Sequence, residues 1–212
     1  MQLYTIGHST RTLDDLVEAL RSFGVRMLVD IRTVPRSRHT PQFNREELAR
    51  RLPRRGIRYR HLPGLGGLRK PRPDSTNTAW RNASFRGFAD YMQTPEYSTA
   101  LQELRTLAEE AGATAVMCAE AVPWRCHRSL VADALTAGGD TVFHIMGPAK
   151  AHRHTLTPWA RVEGGRVVYP GDPPERHPGS LPRPSRARPA RGGSRGVAAR
   201  APLPSIKRTA RP

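Results

Sequence analysis

Cys118 and Cys126 are the two cysteines of this chain, and they sit eight positions apart in the stretch V-M-C-A-E-A-V-P-W-R-C-H-R-S-L, Val116 to Leu130. Glu120, Arg125, His127 and Arg128 lie in the same stretch. A thiolate can act as nucleophile or metal ligand, a carboxylate or imidazole can move protons, and arginine can hold an anion. Cys126 has the more promising surroundings. It is expected in the first turn of a helix beside three cationic or ionisable side chains, Arg125, His127 and Arg128, and both a helix N-terminus and neighbouring cations stabilise thiolate. The plainer alternative is a buried cysteine packed as a small apolar residue. That alternative is stronger for Cys118, which closes the apolar run Thr114–Cys118.

Three known chemistries come near this pattern. Phosphatase and sulfurtransferase loops run strand, Cys, loop, Arg, helix, with loop amides cradling an oxyanion. Cys118 and Arg125 have that context, but six residues separate them, more than the common phosphatase spacing. Glu120 adds charge to such a loop and Pro123 removes an amide. Zinc deaminases carry C/H-A-E followed by P-C-x-x-C. Cys118-Ala119-Glu120 copies the first half, but Pro123-Trp-Arg-Cys126 lacks a cysteine of the second, so that family is excluded. A zinc or iron site from Cys118, Cys126 and either His8 or His127 stays open. The third possibility is a phosphate-gripping module without chemistry, with Trp80 or Trp124 stacking on a base. No paired-carboxylate spacing and no glycine-rich dinucleotide fingerprint is present.

The elements that must position these residues follow from periodicity. Leu3–Ile6 reads as a strand running into Gly7-His8-Ser9. A helix follows with a Thr12/Asp15 capping box, and Gly24 ends it. Met27–Asp30 is a second strand, followed by Ile31 and Arg32, so the first three elements make a βαβ unit with parallel pairing. A second helix is expected from Asn44, with an Asn44/Glu47 capping box, and a third strand at Ile57–Leu62. Pro63 to Asn82 is a long connection whose glycines and basic residues (Arg69, Lys70, Arg72, with Arg81 and Arg86 near its end) suit a lid over an anion. A short helix over Phe85–Met92 and a longer one capped by Thr94 with Pro95 at its first position come next. The Val116 strand, the Cys126 helix, a strand at Thr141–Ile145 and a hairpin about Gly164-Gly165 complete the reading. Strands alternating with helices imply a three-layer α/β domain with a mainly parallel five-stranded sheet. In such sheets ligands bind beyond the carboxyl ends of strands. His8 and Ser9, Asp30 and Arg32, and Cys118 to Arg128 all fall at such ends and should converge.

Composition sets the class of partner. The chain of 212 residues carries a formal net charge of +17. Gly171 to Pro212 holds ten Lys+Arg against Asp172 and Glu175, a net of +8, which leaves +9 for residues 1–170. This balance suits phosphorylated ligands or nucleic acid, although GC-rich coding would yield the same arginine excess. With nine prolines and few apolar residues, 171–212 is expected to be a disordered basic tail beyond an α/β domain spanning 1–170. No apolar run approaches the ~20 residues of a membrane helix, and Met1–Ile6 begins as a strand without a leader pattern. A cytoplasmic protein is the expectation, and no cofactor can be identified.

Several stretches together resemble one family. They are T-I-G-H-S (Thr5–Ser9), L-V-D-I-R (Leu28–Arg32) with P-R-S-R (Pro35–Arg38), P-Q-F-N-R-E-E-L (Pro41–Leu48), G-I-R-Y (Gly56–Tyr59) and L-G-G (Leu65–Gly67). W-R-N-x-S-F-R-G-F-A-D-Y-M (Trp80–Met92) and C-A-E-A-V-P-W-R-C-H-R-S (Cys118–Ser129) follow in order. From Leu3 to Tyr169 the chain is similar to the prokaryotic domain of unknown function 488 family. That resemblance implies an α/β core and marks the motif residues, but brings no reaction. With a non-catalytic phosphate- or nucleic-acid-binding module and a zinc or iron site at Cys118 and Cys126 as the alternatives, the leading expectation from the residues is an enzyme's site. Cys126, Glu120, His8, Cys118 and His127 are its reactive groups. Ser9, Asp30, Arg32, Ser37, Arg38, Gly66, Gly67, Arg125 and Arg128 hold an anionic ligand, a nucleotide or nucleic-acid end.

Overall fold

Five parallel strands give the domain its centre, and all but the third in the chain send side chains alternately into two apolar layers. The computed structural model describes residues 1–171, so the expected basic tail lies outside the described residues apart from Gly171. The strands are β1 (Gln2–Gly7), β2 (Met27–Asp30), β3 (Arg58–His61), β4 (Thr114–Cys118) and β5 (Thr141–Gly147), all parallel, in the order β3-β2-β4-β1-β5. A sixth strand, β6 (Lys150–Arg153), adds antiparallel to β5 at the edge. The sequence hides it because its pattern is polar, as an edge strand needs. The β7–β8 hairpin (Arg161–Glu163, Arg166–Val168) turns through Gly164 and Gly165, both at positive φ.

Alternation along the strands sorts the helices into layers. Tyr4 and Ile6 of β1, Leu28 of β2, and Ala115 and Met117 of β4 face α1 (Leu13–Arg21) and α2 (Arg45–Arg51). Leu3, Val29, Val116 and Cys118 face the other way, onto α3 (Ala83–Tyr91), α4 (Pro95–Ala111) and α5 (Arg128–Ala137). The result is the three-layer α/β fold expected. β1 and β4 are neighbours, yet the helix leaving β1 packs on one face and the helix leaving β4 on the other. Their diverging exits open a crevice at the carboxyl end of the sheet.

Local signals act as expected at α1, where the Thr12 hydroxyl accepts from Asp15 N and Asp15 accepts from Thr12 N. At α2 the expected Asn44/Glu47 box does not form. The Asn44 Oδ1 instead accepts from the Ser37 amide at 2.7 Å, which closes the Pro35–Asn44 loop. The long 63–82 connection is tied down rather than left as a lid. Asp90 of α3, 2 % exposed, accepts from Arg72 N, Ser75 Oγ and Asn77 Nδ2, while Asn77 Oδ1 accepts from Tyr169 N. Asp90→Ala should therefore cost about 2–4 kcal/mol in urea denaturation, because the buried Asn77 side-chain amide loses its acceptor and the Arg72 amide and Ser75 hydroxyl lose theirs. A variant as stable as the parent would show that Asp90 does not anchor this connection.

Candidate functional site

The sheet order brings together what the chain separates. β4 lies between β1 and β2, and the His8, Ser9 and Ile31 amides donate to the Cys118, Ala119 and Met117 carbonyls at 3.0, 2.8 and 3.0 Å. Over this end opens a cavity of about 410 Å³ lined by Arg32, Gly67, Cys118, Glu120, Arg125, Cys126 and His127, among others. Its floor is the pair of thiols, both buried and unbridged. Glu120 and Arg125 are exposed at its rim.

Cys126 is not in the first turn of a helix. Pro123–Arg125 forms a 3-10 turn, Cys126 is extended (φ −134°, ψ 141°), and α5 begins only at Arg128. Pro123 forces the break, since it opens a new turn and supplies no amide. The Cys126 sulfur nevertheless meets the Arg128 backbone N–H at 3.5 Å. Within the turn, the Arg125 and Cys126 amides donate to the Val122 and Pro123 carbonyls. They are therefore spent locally, and a phosphatase-type cradle around Cys118 is not built.

Two thiols within 4.8 Å of each other and out of water cannot both ionise without mutual repulsion. Cys118 is pushed down, first by the neighbouring Cys126 thiol and then, against desolvation, by His127 and the Ala119 backbone. Cys126 is pushed up by the Cys118 thiol beside it and by burial. One negative charge is thus shared by the pair. The Arg128 guanidinium, 1 % exposed, feels the charge of both sulfurs. Its NH2 donates to the Ala121 carbonyl at 3.2 Å, while Nε and NH1 have no hydrogen-bond partner. Burial lowers the Arg128 pKa, partly offset by the charges of Cys126, Cys118 and Glu120.

Close packing holds these groups in place. A Cβ on Gly7 would fall 1.9 Å from the Glu120 carbonyl oxygen and 2.8 Å from Arg128 NH1. A Cβ on Gly67 would fall 2.3 Å from His127 Nδ1. His127 also packs edge-on to Phe88, and its Nε2 is buried without a partner. The sulfurs of Cys118 and Cys126 and a ring nitrogen of His127 lie within 4.8 Å of one another, a spacing that one metal ion could bridge.

Other expected members have different roles. The His8 Nδ1–H donates to the Ser9 carbonyl at 2.9 Å, so its Nε2 accepts from Arg32 NH1 at 3.1 Å. Both nitrogens are occupied, and burial lowers the His8 pKa. His8 is thereby a neutral support for Arg32 without a free nitrogen for proton transfer or for a metal. Arg32 forms a bidentate pair with Asp30, Nε to Oδ1 at 2.9 Å and NH2 to Oδ2 at 2.6 Å, and NH2 also reaches the Phe43 carbonyl. Burial would lower the Arg32 pKa, but the bonds and charge of Asp30 outweigh it and raise it. Asp30 also accepts from the Tyr59 hydroxyl at 2.8 Å. The charge of Arg32 is therefore already matched, although the residue lines the cavity.

Ser9, at φ 47°, shapes the turn after β1 and does not line the cavity. Ser37 closes its own loop by accepting from the His39 and Thr40 amides, and Arg38 is exposed there, so neither reaches the cavity. Gly66 packs on Thr33, where a Cβ would meet Oγ1 at 2.4 Å. Of the basic residues assigned to the lid, none lines the cavity, and Arg69 lies 3.6 Å over the Tyr91 ring.

Sequence reading missed a second buried polar set beneath α5. The Asp133 carboxylate, 0 % exposed, accepts from His154 Nε2, from Thr157 N and Oγ1, and from the Tyr169 hydroxyl, all at 2.7–2.9 Å. With Nε2 donating, His154 Nδ1 must accept from His144 Nε2–H at 2.9 Å, and His144 Nδ1 from the Thr5 hydroxyl at 2.7 Å. An aspartate inside the helical pattern of α5 was the one available signal.

Among the described residues no helix is long and apolar enough to cross a membrane. No curated protein and no solved structure matches the chain. The family model described as Domain of unknown function DUF488 matches residues 12–135, which takes in the Leu28–Arg32 and Cys118–Ser129 motifs and leaves Thr5–Ser9 ahead of it. That match covers more than half of the 212 residues, and the chain belongs to the DUF488 family.

Proposed function

We propose that the chain is an enzyme acting on an anionic substrate, with Cys118 as its thiolate nucleophile. Cys126 keeps the proton that the two thiols share, Glu120 moves protons at the rim, and Arg125 meets the charge of the substrate. One observation carries this reading. Arg128 is buried beside the thiols, and among the described residues it makes no salt bridge to a carboxylate. A buried cation is costly unless an anion accompanies it, and the thiolate is the anion at hand. Reduced thiols are required, which suits a cytoplasmic setting.

The spacing of Cys118, Cys126 and His127 supports a second reading, a zinc or iron site. Charge balance favours the first. Two thiolates would neutralise a divalent ion and leave Arg128 with no counter-charge nearer than the exposed Glu120. One equivalent of zinc or iron in purified protein, lost in Cys118→Ser, would reverse that preference.

Iodoacetamide should test the nucleophile. At pH 6 it should alkylate Cys118 at least about ten times faster than a free thiol, whose pKa of ~8.5 leaves little thiolate there. Peptide mapping would place the adduct. Labelling that follows an ordinary thiol titration, or that falls on Cys126 first, would overturn the assignment.

A further inference from the structure

A second cavity, of about 520 Å³, opens beside the thiol site and is lined by Trp80, Trp124 and Trp159, all three tryptophans of the chain. Trp124 is 67 % exposed and Trp159 43 %. Large apolar side chains left in water at one place mark a binding surface more often than scattered ones do. Trp80 stacks on Phe85 with centroids 4.7 Å apart and meets Trp159 edge-on at 5.3 Å, so two of the indoles are held in fixed orientations.

The remaining wall defines what can enter. His144 and His154 line the cavity, but the chain of bonds from Thr5 to Asp133 occupies all four of their ring nitrogens. Burial pushes His144 down to about 3, so it presents a neutral ring. Arg153 supplies positive charge, and no carboxylate is among the residues lining the cavity. Flat aromatic surfaces with a cation and no acidic group suit a planar ring that carries negative charge nearby.

The two cavities adjoin. The Pro123–Arg125 turn runs between them, with Trp124 lining the second and Arg125 the first. The Trp80–Phe85 stack does the same, Trp80 on one side and Phe85 on the other. A ligand with a base at one end and a phosphate at the other would span the turn.

We propose that the tryptophan cavity is a nucleobase subsite, so that the anion acted on at Cys118 is the phosphate end of a nucleotide unit. This rests on the thiol site proposed above and specifies its substrate class. The base would stack on Trp124 and Trp159, and the phosphate would lie toward Arg125. A free mononucleotide and the end of a single-stranded nucleic acid share this chemistry.

The test uses the full chain, titrated with adenosine 5′-monophosphate, with inorganic phosphate, and with a short single-stranded oligonucleotide. Binding is read by tryptophan fluorescence and by calorimetry. The nucleotide should quench the tryptophans and bind more tightly than phosphate. Trp124→Ala should weaken it about 5- to 150-fold, the worth of one stacked base, and leave phosphate affinity unchanged. Tighter binding of the oligonucleotide with a steeper salt slope would assign a nucleic-acid end, and equal affinity a mononucleotide. Nucleotide affinity no better than that of phosphate, or untouched by Trp124→Ala, would overturn the subsite. Self-association abolished by Trp124→Ala, without nucleotide binding, would overturn it in favour of an interface between copies. Iodoacetamide labelling of the same samples separates the two ideas. Base binding lost with Cys118 still reactive defeats only the subsite, whereas base binding with an unreactive Cys118 defeats only the thiolate.

Discussion

Gly7→Ala should destabilise the protein by about 3–5 kcal/mol, at the severe end of single substitutions. The new Cβ would sit 1.9 Å from the Glu120 carbonyl oxygen and 2.7 Å from the Glu120 carbonyl carbon, which are backbone atoms that no rotamer can move. The loop after β4 would have to lift away from β1. That displacement would also pull Ala119 from the Ser9 amide, to which it is bonded at 2.8 Å, and shift the Ala121 carbonyl that Arg128 holds. Urea denaturation of the full chain measures the cost. Gly147→Ala is the control, since nothing lies within 4 Å of its Cβ position and its φ is ordinary. It should stay within about 1 kcal/mol of the parent. A Gly7→Ala protein as stable as that control would show that β1 and the Glu120 loop are not in contact.

The second large effect is expected from Arg128→Met. Methionine keeps the length of the buried side chain and removes its charge. An opposite charge within a few ångströms depresses an acid's pKa by about 1–3 units. The midpoint of the alkylation profile at Cys118 should therefore move up by about that amount, and the rate at pH 6 should fall about 10-fold or more. The sign follows from linkage. A thiol whose folded pKa lies below its unfolded value, ordinarily ~8.5, stabilises the fold fully above that value and progressively less as the pH falls. Arg128→Met should flatten this dependence on the acid side of ~8.5. Overall stability at neutral pH should change little, because apolar replacements of buried charges are often neutral or better. An unchanged alkylation profile would show that Arg128 does not support the thiolate, and a role in gripping the substrate would then fall to it.

Local signals in the sequence carried far. The Thr12/Asp15 box, Thr94 with Pro95, and the glycine pair 164–165 each act over a few residues, and each appears in the structure where its residues stand. Where a nonlocal partner competes, the local signal loses. Asn44 bonds to Ser37 rather than capping α2, and in the 63–82 connection the Arg69 and Arg72 side chains turn to Tyr91 and Asp74. β6 carries no apolar alternation because only one of its edges is paired.

The sequence by itself determined the five parallel strands and the helices between them, their βαβ linkage, and the gathering of His8, Asp30, Arg32 and the Cys118–Arg128 stretch at strand ends. These depend on periodicity, capping and turn chemistry, which are properties of neighbouring residues. It also marked the family through motifs that keep their order. Tertiary structure alone decided that β4 enters between β1 and β2, because pairing partners far apart in the chain leave no trace in spacing. That order set the buried Arg128 close enough to two neighbouring thiols to feel their charge, and let the pair share a single negative charge. It also bound His8 to Arg32 and Arg32 to Asp30, and joined Thr5, His144, His154 and Asp133 across the sheet edge. Protonation and hydrogen-bond satisfaction depend on which groups share a buried volume, and only the folded chain defines that volume.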